Sequence, residues 1–336
     1  MLQPAPSPPH PPKKMPAPTP IENRNSQIEN PLPFPRLGLG CGFPAFAGFG
    51  PAIATIHRAL ELGIHYFDTS PLYCSGASQA ILGHALTPPP ATRHFVATKV
   101  GHFKVPAHFR SVEAMHVQLR ENLRLLRRDS VDLLQLHEAD WDHWWRDRAD
   151  LAPCELFDLE ASYDFANAPA LQFLREAKAA GLCRYIGITG NNARHLARLV
   201  RELDGLDSVL VAYNYHPLNT TARDTVIPAA AKKHMAVFIA GLFTFIYRLP
   251  AGWRTEGTYF RPRADAQLSA LHQLQRETNL PLAELAVRFV AHDPRLTTTL
   301  LGACHPHEIE QTVAAFHAGP LPPDLHAALE SIATLE

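Results

Sequence analysis

Between residues 36 and 335, eight short apolar segments alternate with longer stretches of helical periodicity. This alternation predicts parallel βαβ units, and eight units in a chain of 336 residues predict a (β/α)8 barrel. The apolar segments are continuously hydrophobic, as expected for strands that are buried on both faces of a sheet. A doubly wound open sheet is the alternative, and it is weakened because no G-x-G-x-x-G motif follows the first predicted strand.

The strands are predicted from apolar runs rich in β-branched residues, and the helices from apolar residues that recur with a period near 3.6. In chain order, the predicted strands are 36–42, 65–70, 94–100, 131–138, 183–190, 208–214, 235–243 and 297–303. The predicted helices are 51–63, 78–86, 111–127, 168–181, 193–203, 220–233, 266–278, 280–292, 306–319 and 322–335. Gly63 marks the end of the first helix, because glycine readily adopts the left-handed conformation that ends helices.

Composition excludes several classes of partner. Hydrophobic residues make up 46% of the chain, the net charge is -1, and no basic stripe suggests nucleic acid. No apolar run approaches the roughly 18 residues needed to span a bilayer, so no membrane partner is expected. The five cysteines are scattered and odd in number, without zinc or redox spacing. They indicate reduced thiols and a cytoplasmic location.

The N-terminal segment, residues 1–33, is rich in proline and poor in apolar residues. Such a composition cannot build a core, so this segment is predicted to be a disordered leader. The barrel is expected to occupy residues 34–336, with a long loop insertion at about 138–168.

Ionisable residues lie at the ends of three consecutive predicted strands. Asp68 ends the second strand, Lys99 lies near the end of the third, and His137 lies at the end of the fourth. Tyr73 follows in the loop after the second strand. Taken singly, each has a structural explanation, as a helix cap, a solvated charge, a satisfied polar group or a packing residue. In a barrel, however, the carboxyl ends of all strands converge on one rim, where active sites are built.

These four side chains suggest proton transfer to or from a substrate oxygen. A free tyrosine has a pKa of about 10, and a neighbouring ammonium is expected to lower that pKa. A carboxylate would hold the lysine, and a histidine could bind a substrate oxygen. The set could protonate a carbonyl oxygen as hydride reaches its carbon, or do the reverse. It has no nucleophile with its base and no His/carboxylate cluster with metal-ligand spacing, so acyl transfer and metal catalysis are disfavoured and no metal is predicted.

At this point the sequence resembles the aldo-keto reductase superfamily. The tracts "GIHYFDTSPLY", "SQAILGHAL", "VATKV", "VDLLQLH" and "RYIGITG" are similar to family signatures and occur in family order. The resemblance implies an NAD(P)(H)-dependent oxidoreductase that interconverts a carbonyl and an alcohol. By position, Tyr73 would be the general acid/base, Asp68 and Lys99 would tune it, and His137 would orient the substrate oxygen. "RYIGITG" looks closest to the branch that includes L-galactose dehydrogenase, which implies an aldose or another small carbonyl substrate.

The resemblance also implies a set of cofactor contacts: Gly40, Cys41, Asp68, Thr189, Gly302, Ala303 and Glu308. Many members that prefer NADPH place a lysine or arginine after the eighth strand, whereas this chain has Glu308 in that segment. A carboxylate repels a phosphate, so NAD(H) is expected over NADP(H). Gly190 stands where an asparagine is common, and Gly241 and Leu242 replace the usual serine and proline after the seventh strand.

The long loop 138–168 contains three tryptophans, Trp141, Trp144 and Trp145. Loops on this rim shape the substrate pocket, so these rings could line it or stack on a sugar face. The alternative is an insertion that packs on itself or against another subunit. Whether the chain is a monomer or a homo-oligomer is left open.

Two functional hypotheses follow. The first is an oxidoreductase of the kind described above. The second is an impaired barrel that keeps a cofactor site but acts as a regulatory or interaction subunit. The complete set of four polar residues favours the first, and the altered segment at Gly241 and Leu242 keeps the second open.

Overall fold

The computed structural model describes residues 32–43, 48–147, 155–243 and 265–335. The predicted leader, residues 1–33, lies outside the described residues except for its last two positions. Among the helices of the described ranges, none is both long and apolar enough to cross a membrane.

Eight parallel strands close into a barrel, as predicted. They are β1 (Leu37–Gly40), β2 (Tyr66–Asp68), β3 (Phe95–Val100), β4 (Val131–Leu136), β5 (Cys183–Gly190), β6 (Ser208–Ala212), β7 (Ala236–Ala240) and β8 (Thr298–Gly302). Each strand pairs with the next, and β1 closes the barrel by pairing with β8, where Gly40 lies opposite Gly302. The open-sheet alternative is therefore excluded.

The interior of the barrel is a core separate from the one under the helices. Phe34, just before β1, lies at its floor and makes edge-to-face contacts with Tyr66, Phe95, Tyr185 and Phe238. Such aromatic pairs add about 0.5–1.5 kcal/mol each beyond the area that they bury. The floor of the barrel is thus filled with aromatic rings, and chemistry is confined to the opposite rim.

The helices cover the outside of the barrel. They are α1 (Phe49–Glu61), α2 (Ala77–Ala85), α3 (Val112–Leu126), α4 (Pro169–Ala179), α5 (Ala193–Glu202), α6 (Thr221–Asp224), α7 (Val226–Lys232), α8 (Asp265–Thr278), α9 (Leu282–Val290), α10 (Pro306–His317) and α11 (Pro323–Ala333). Their apolar faces follow helical spacing; in α1, for example, Ala52, Ile56 and Ala59 are fully buried. This outer core holds the strands in register.

The single helix predicted over 220–233 is divided in two. The break falls at Thr225, where α6 ends and α7 begins. Pro228 explains it, because proline has no N–H to donate to the carbonyl of Asp224 and its ring would clash with that carbonyl in a continuous helix. The other predicted helices and strands differ from the structure mainly at their ends.

Candidate active site

The carboxyl ends of the strands surround a cavity of about 300 Å³. The cavity has polar walls on the side of β2 to β5 and more apolar walls on the side of β6 to β8. It is lined by Gly40, Gly42, Asp68, Leu72, Tyr73, Lys99, His137, Glu138, Thr189, Gly190, Asn191, Leu210, Ala212, Tyr213, Ala240, Gly241, Leu300 and Gly302. All four residues predicted as catalytic from the sequence line this one cavity.

Asp68 and Lys99 form a buried ion pair between neighbouring strands. The Lys99 ammonium donates to Asp68 Oδ1 and, at 3.0 Å, to the carbonyl of Thr69. The second carboxylate oxygen of Asp68 accepts from Gln135 Nε2 at 3.0 Å. Both charged side chains are almost fully buried. Replacing a buried ion pair by apolar side chains is often neutral or stabilising, so this pair is better explained by the chemistry of the site than by stability.

Tyr73 lies next to this ion pair. It begins a short 3₁₀ helix, Tyr73–Gly76, that joins β2 to α2. Lys99 Nζ lies 4.8 Å from the centroid of the Tyr73 ring. The ring also meets the His137 imidazole edge to face, with centroids 5.8 Å apart. The Tyr73 ring therefore contacts both the ammonium and the imidazole.

The pKa of Tyr73 is raised, whereas the sequence predicts that a neighbouring ammonium lowers it. Burial raises the pKa well above its usual value, and the Asp68 and Glu138 carboxylates raise it further. The pKa of Tyr73 is therefore raised overall rather than lowered as expected, because burial dominates, and Asp68 both pairs with the Lys99 ammonium and opposes ionisation of the phenol with its own negative charge.

His137 is a neutral, oriented imidazole. Its pKa is lowered well below the usual value, first by burial and then by the nearby His102 and Lys99. Its Nδ1 lies 3.0 Å from Ser70 Oγ. This contact occupies one ring nitrogen and leaves Nε2 as the nitrogen available to a substrate oxygen.

Two further polar residues, His102 and Glu138, lie beside these four side chains, and neither is among the residues selected from the sequence. His102 follows β3, and its ring lies 4.4 Å from that of His137, centroid to centroid. Its Nε2 lies 2.7 Å from Glu138 Oε2. The ligand atoms of His102, His137 and Glu138 all lie within 4.8 Å of one another. Sequence spacing does not reveal this group, because His102 and Glu138 are 36 positions apart in the chain and meet only at the rim.

The backbone is strained at this rim. His102, Glu138 and Tyr213 all have positive φ angles, of 55°, 53° and 64°. A residue other than glycine in this region costs about 1–3 kcal/mol, and such residues concentrate at functional sites. Sequence patterns do not reveal these conformations, since histidine, glutamate and tyrosine all occur freely in ordinary loops.

The structure explains why Gly190 replaces the asparagine common in the family. A Cβ atom at Gly190 would lie 2.8 Å from Cγ of Asp140. Asp140 is fully buried, and its Oδ2 accepts from the backbone N–H groups of Asn191 and Asn192 at 2.7 and 2.8 Å. Burial, with the nearby Glu138 charge, raises the pKa of Asp140 to about 7. The amide side chain at the cavity wall is therefore Asn191, one position later, which donates to Glu138 Oε1 at 2.6 Å.

The three tryptophans of the long loop are buried and do not line the cavity. Trp144 Nε1 donates to the carbonyls of His137 and Glu138, each at 3.1 Å. Trp145 Nε1 donates to the carbonyl of Ala139 at 2.7 Å. Trp141 packs against the His102 ring, with centroids 4.7 Å apart. This placement matches the self-packed alternative, in which the loop supports the end of β4; residues 148–154 lie outside the described residues.

The residues expected to bind cofactor divide into two groups. Gly40, Asp68, Thr189 and Gly302 line the cavity, whereas Cys41 and Ala303 are buried beside it and are not among the lining residues. Thr189 Oγ1 accepts from the N–H of Glu138 at 3.1 Å, which links β5 to the end of β4.

Glu308 lies outside the cavity, in the first turn of α10. Its carboxylate accepts from the N–H groups of Cys304 and His305, at 2.6 and 3.2 Å. These contacts form a capping box at the helix N terminus. Amide groups that could bind a phosphate are thus already paired with a carboxylate of the chain itself.

Tyr213 and Gly241 form the opposite wall of the cavity. Of these two residues, only Gly241 is among those selected from the sequence. Gly241 has a φ of 72°, and a Cβ there would lie 2.3 Å from Cδ1 of Tyr213. Glycine is therefore required for the tyrosine ring to lie flat against this strand end. Leu242, its neighbour, is buried. The rest of the segment after β7, residues 244–264, lies outside the described residues.

Residues 48–334 match the model of the Aldo/keto reductase family, and the chain belongs to this family of oxidoreductases. It is 26% identical to L-galactose dehydrogenase of Arabidopsis thaliana, over 83% of both proteins. It is 27% identical to D-threo-aldose 1-dehydrogenase of a Pseudomonas species, over 89% of this chain and 94% of that enzyme. An aldo-keto reductase from Bacillus halodurans in its holo form has the same fold, with a TM-score of 0.69 and 23% identity over 92% of this chain and 96% of that one. The family resemblance inferred from the motifs is confirmed.

Proposed function

We propose that the chain interconverts a carbonyl and an alcohol by hydride transfer with a nicotinamide dinucleotide, and that Tyr73 is the general acid/base. One observation carries the proposal: the Lys99 ammonium, paired with Asp68, lies 4.8 Å from the Tyr73 ring centroid at the mouth of the cavity. The arrangement suits a proton exchanged at a substrate oxygen, and it contains no activated nucleophile.

The cavity walls suit the nicotinamide end of such a cofactor. Tyr213 offers a flat aromatic face, Asn191 and Thr189 offer polar groups across from it, and the glycines at 40 and 302 leave the rim open. A Cβ at Gly302 would meet no atom within 4 Å, so there is free space beside this strand end. A bound nicotinamide dinucleotide would supply or accept the hydride at the substrate carbon.

The residues of the chain would handle the proton and the substrate oxygen. In reduction, the Tyr73 hydroxyl would donate its proton to the carbonyl oxygen, and its raised pKa keeps it protonated near neutral pH. His137 Nε2 would hold the same oxygen, because Ser70 already occupies Nδ1. In oxidation, the Tyr73 phenolate would take the proton back from the alcohol and become neutral. Lys99 would offset the negative charge that Tyr73 carries after it has donated its proton in reduction and before it accepts one in oxidation.

We further propose an aldose or another polyhydroxylated carbonyl compound as substrate. The wall formed by His137, Glu138 and Asn191 is polar, and the Asn191 side chain could exchange hydrogen bonds with sugar hydroxyls. Two relatives are named for oxidation of aldoses. Glu308 supports NAD(H) over NADP(H), because its carboxylate already occupies the amides of Cys304 and His305 immediately before α10.

Turnover assays test the proposal. The protein is incubated with NAD+ and a panel of aldoses, and with NADH and a panel of aldehydes, while the absorbance of NADH is followed. We expect turnover with at least one aldose. Tight cofactor binding with no turnover on either panel would instead favour the regulatory-subunit hypothesis, for which the described residues offer no specific support.

A further inference from the structure

Three potential metal ligands meet at one side of the cavity. They are His102 from the loop after β3, and His137 and Glu138 from the end of β4, with ligand atoms within 4.8 Å of one another. Two ligands of one Zn²⁺ at about 2.0–2.1 Å lie about 3.3 Å apart in a tetrahedral arrangement. The set spans up to 4.8 Å, so side-chain rotations would have to draw its atoms together around an ion.

The contact between His102 and Glu138 is not an ordinary hydrogen bond. Their Nε2 and Oε2 atoms are 2.7 Å apart, yet their orientation makes no hydrogen bond, and both atoms are buried. The other carboxylate oxygen of Glu138 is held by the Asn191 amide at 2.6 Å. The oxygen that faces His102 is thus held in place without a hydrogen bond among the described residues, in a contact that is an ion pair when the imidazole carries a second proton.

His137 has the outer contact typical of a metal-ligating histidine. Metal-bound imidazoles almost always use their second nitrogen in a hydrogen bond that fixes the ring, and Ser70 Oγ lies 3.0 Å from His137 Nδ1. Asn191 plays the corresponding part for Glu138. Two histidines and one glutamate are also a ligand set of zinc sites that keep an open coordination position.

We propose that His102, His137 and Glu138 form a binding site for a divalent transition-metal ion of the Zn²⁺ class. Each ligand is of a type that such ions accept, and the adjoining cavity gives the ion a route and room for an exogenous fourth ligand. The ion would take the His137 Nε2 that is proposed above to hold the substrate oxygen, so ion and substrate would exclude one another at this nitrogen. Binding is measured without cofactor or substrate, so the inference stands or falls independently of the proposed reaction.

The test uses the full chain, freed of metal with a chelator and carrying no histidine tag. Co²⁺ is titrated as a spectroscopic probe, and Zn²⁺ is then added to displace it. We expect visible absorption bands of low-coordinate Co²⁺ that saturate at one ion per chain and disappear on addition of Zn²⁺. Absence of saturable binding at one ion per chain would overturn the site.

Two substitutions locate the ion. His102→Asn removes the imidazole but suits the left-handed backbone at this position, because asparagine also tolerates positive φ. Glu138→Gln keeps the shape and the contact with Asn191. We expect each to weaken Co²⁺ binding by more than about tenfold, since even outer-shell partners of metal ligands contribute about 10- to 100-fold.

His108→Asn is the matched control, because His108 is exposed and lies in the same segment, six positions after His102. The His108→Asn variant should bind Co²⁺ with the same affinity as the unsubstituted chain. Circular dichroism confirms that each variant is folded; if Glu138→Gln does not fold, His102→Asn alone decides. Equal affinities for the His102→Asn and His108→Asn variants would place the ion elsewhere and overturn the proposal.

Discussion

Lys99 and Tyr73 meet at the mouth of the barrel, with the ammonium nitrogen 4.8 Å from the centroid of the phenol ring. Although Lys99 is close, the pKa of Tyr73 is raised, because burial dominates and Asp68 both pairs with the ammonium and repels a phenolate. The resting site therefore holds a protonated tyrosine beside a lysine whose positive charge is balanced by Asp68. This state suits proton donation directly and proton acceptance only after ionisation.

The raised pKa of Tyr73 predicts opposite pH profiles for the two directions. Oxidation needs the phenolate, whose fraction grows about tenfold per pH unit below the pKa, so kcat/KM for oxidation should rise steadily above neutral pH. Reduction needs the phenol, so its kcat/KM should be flat through neutral pH. Steady-state profiles in both directions measure this, and an oxidation rate that levels off near neutral pH would contradict the raised pKa.

Gly190→Ala is predicted to destabilise the fold, because its Cβ would lie 2.8 Å from the Asp140 carboxylate carbon. Overpacking of this kind typically costs about 1–3 kcal/mol. Gly302→Ala is the control, since it also lines the cavity but its Cβ would meet no atom within 4 Å. Denaturant unfolding of both variants gives the comparison. Equal losses of stability in the two variants would show that close packing of Gly190 against Asp140 does not cause the destabilisation.

Glu308→Gln is predicted to improve binding of NADP(H) relative to NAD(H). The substitution removes the charge but keeps an oxygen that can cap α10, so the helix should stay intact. Charges near a helix N terminus contribute about 0.3–1 kcal/mol, which corresponds to roughly two- to fivefold in the ratio of dissociation constants. Fluorescence titration with both cofactors measures this ratio. An unchanged ratio would show that Glu308 does not determine the choice between NAD(H) and NADP(H).

Trp144→Phe is predicted to lower stability through the backbone of β4 rather than through lost substrate contacts. The indole N–H donates to the carbonyls of His137 and Glu138. A phenyl ring would remove this donor from both; the Glu138 carbonyl would keep the N–H of Trp141, so the loss falls on the His137 carbonyl. A buried group left unsatisfied costs about 1–3 kcal/mol. Thermal unfolding measures the loss. A variant of normal stability with a greatly raised KM would instead show that the indole contacts substrate.

The barrel and its four central side chains could be predicted because both depend on repeated patterns. The strands are continuously apolar, and Asp68, Lys99 and His137 stand out at their ends. The helix break at Thr225 does not follow from apolar periodicity, because it is caused by Pro228 three residues later. His102 could not be selected, since its role depends on a left-handed backbone that brings it beside Glu138. The pKa of Tyr73 was predicted in the wrong direction, because burial cannot be read from neighbours in sequence.

Tyr73→Phe tests the central claim most directly, with Tyr185→Phe, at the aromatic floor of the barrel, as control. Hydride transfer is followed in single-turnover experiments, and NADH binding by fluorescence. The account predicts that Tyr73→Phe loses about 10²- to 10⁴-fold in the rate of hydride transfer while it still binds NADH, and that Tyr185→Phe transfers hydride normally. A Tyr73→Phe variant that stays within about tenfold of the unsubstituted rate would contradict the assignment of Tyr73 as the general acid/base.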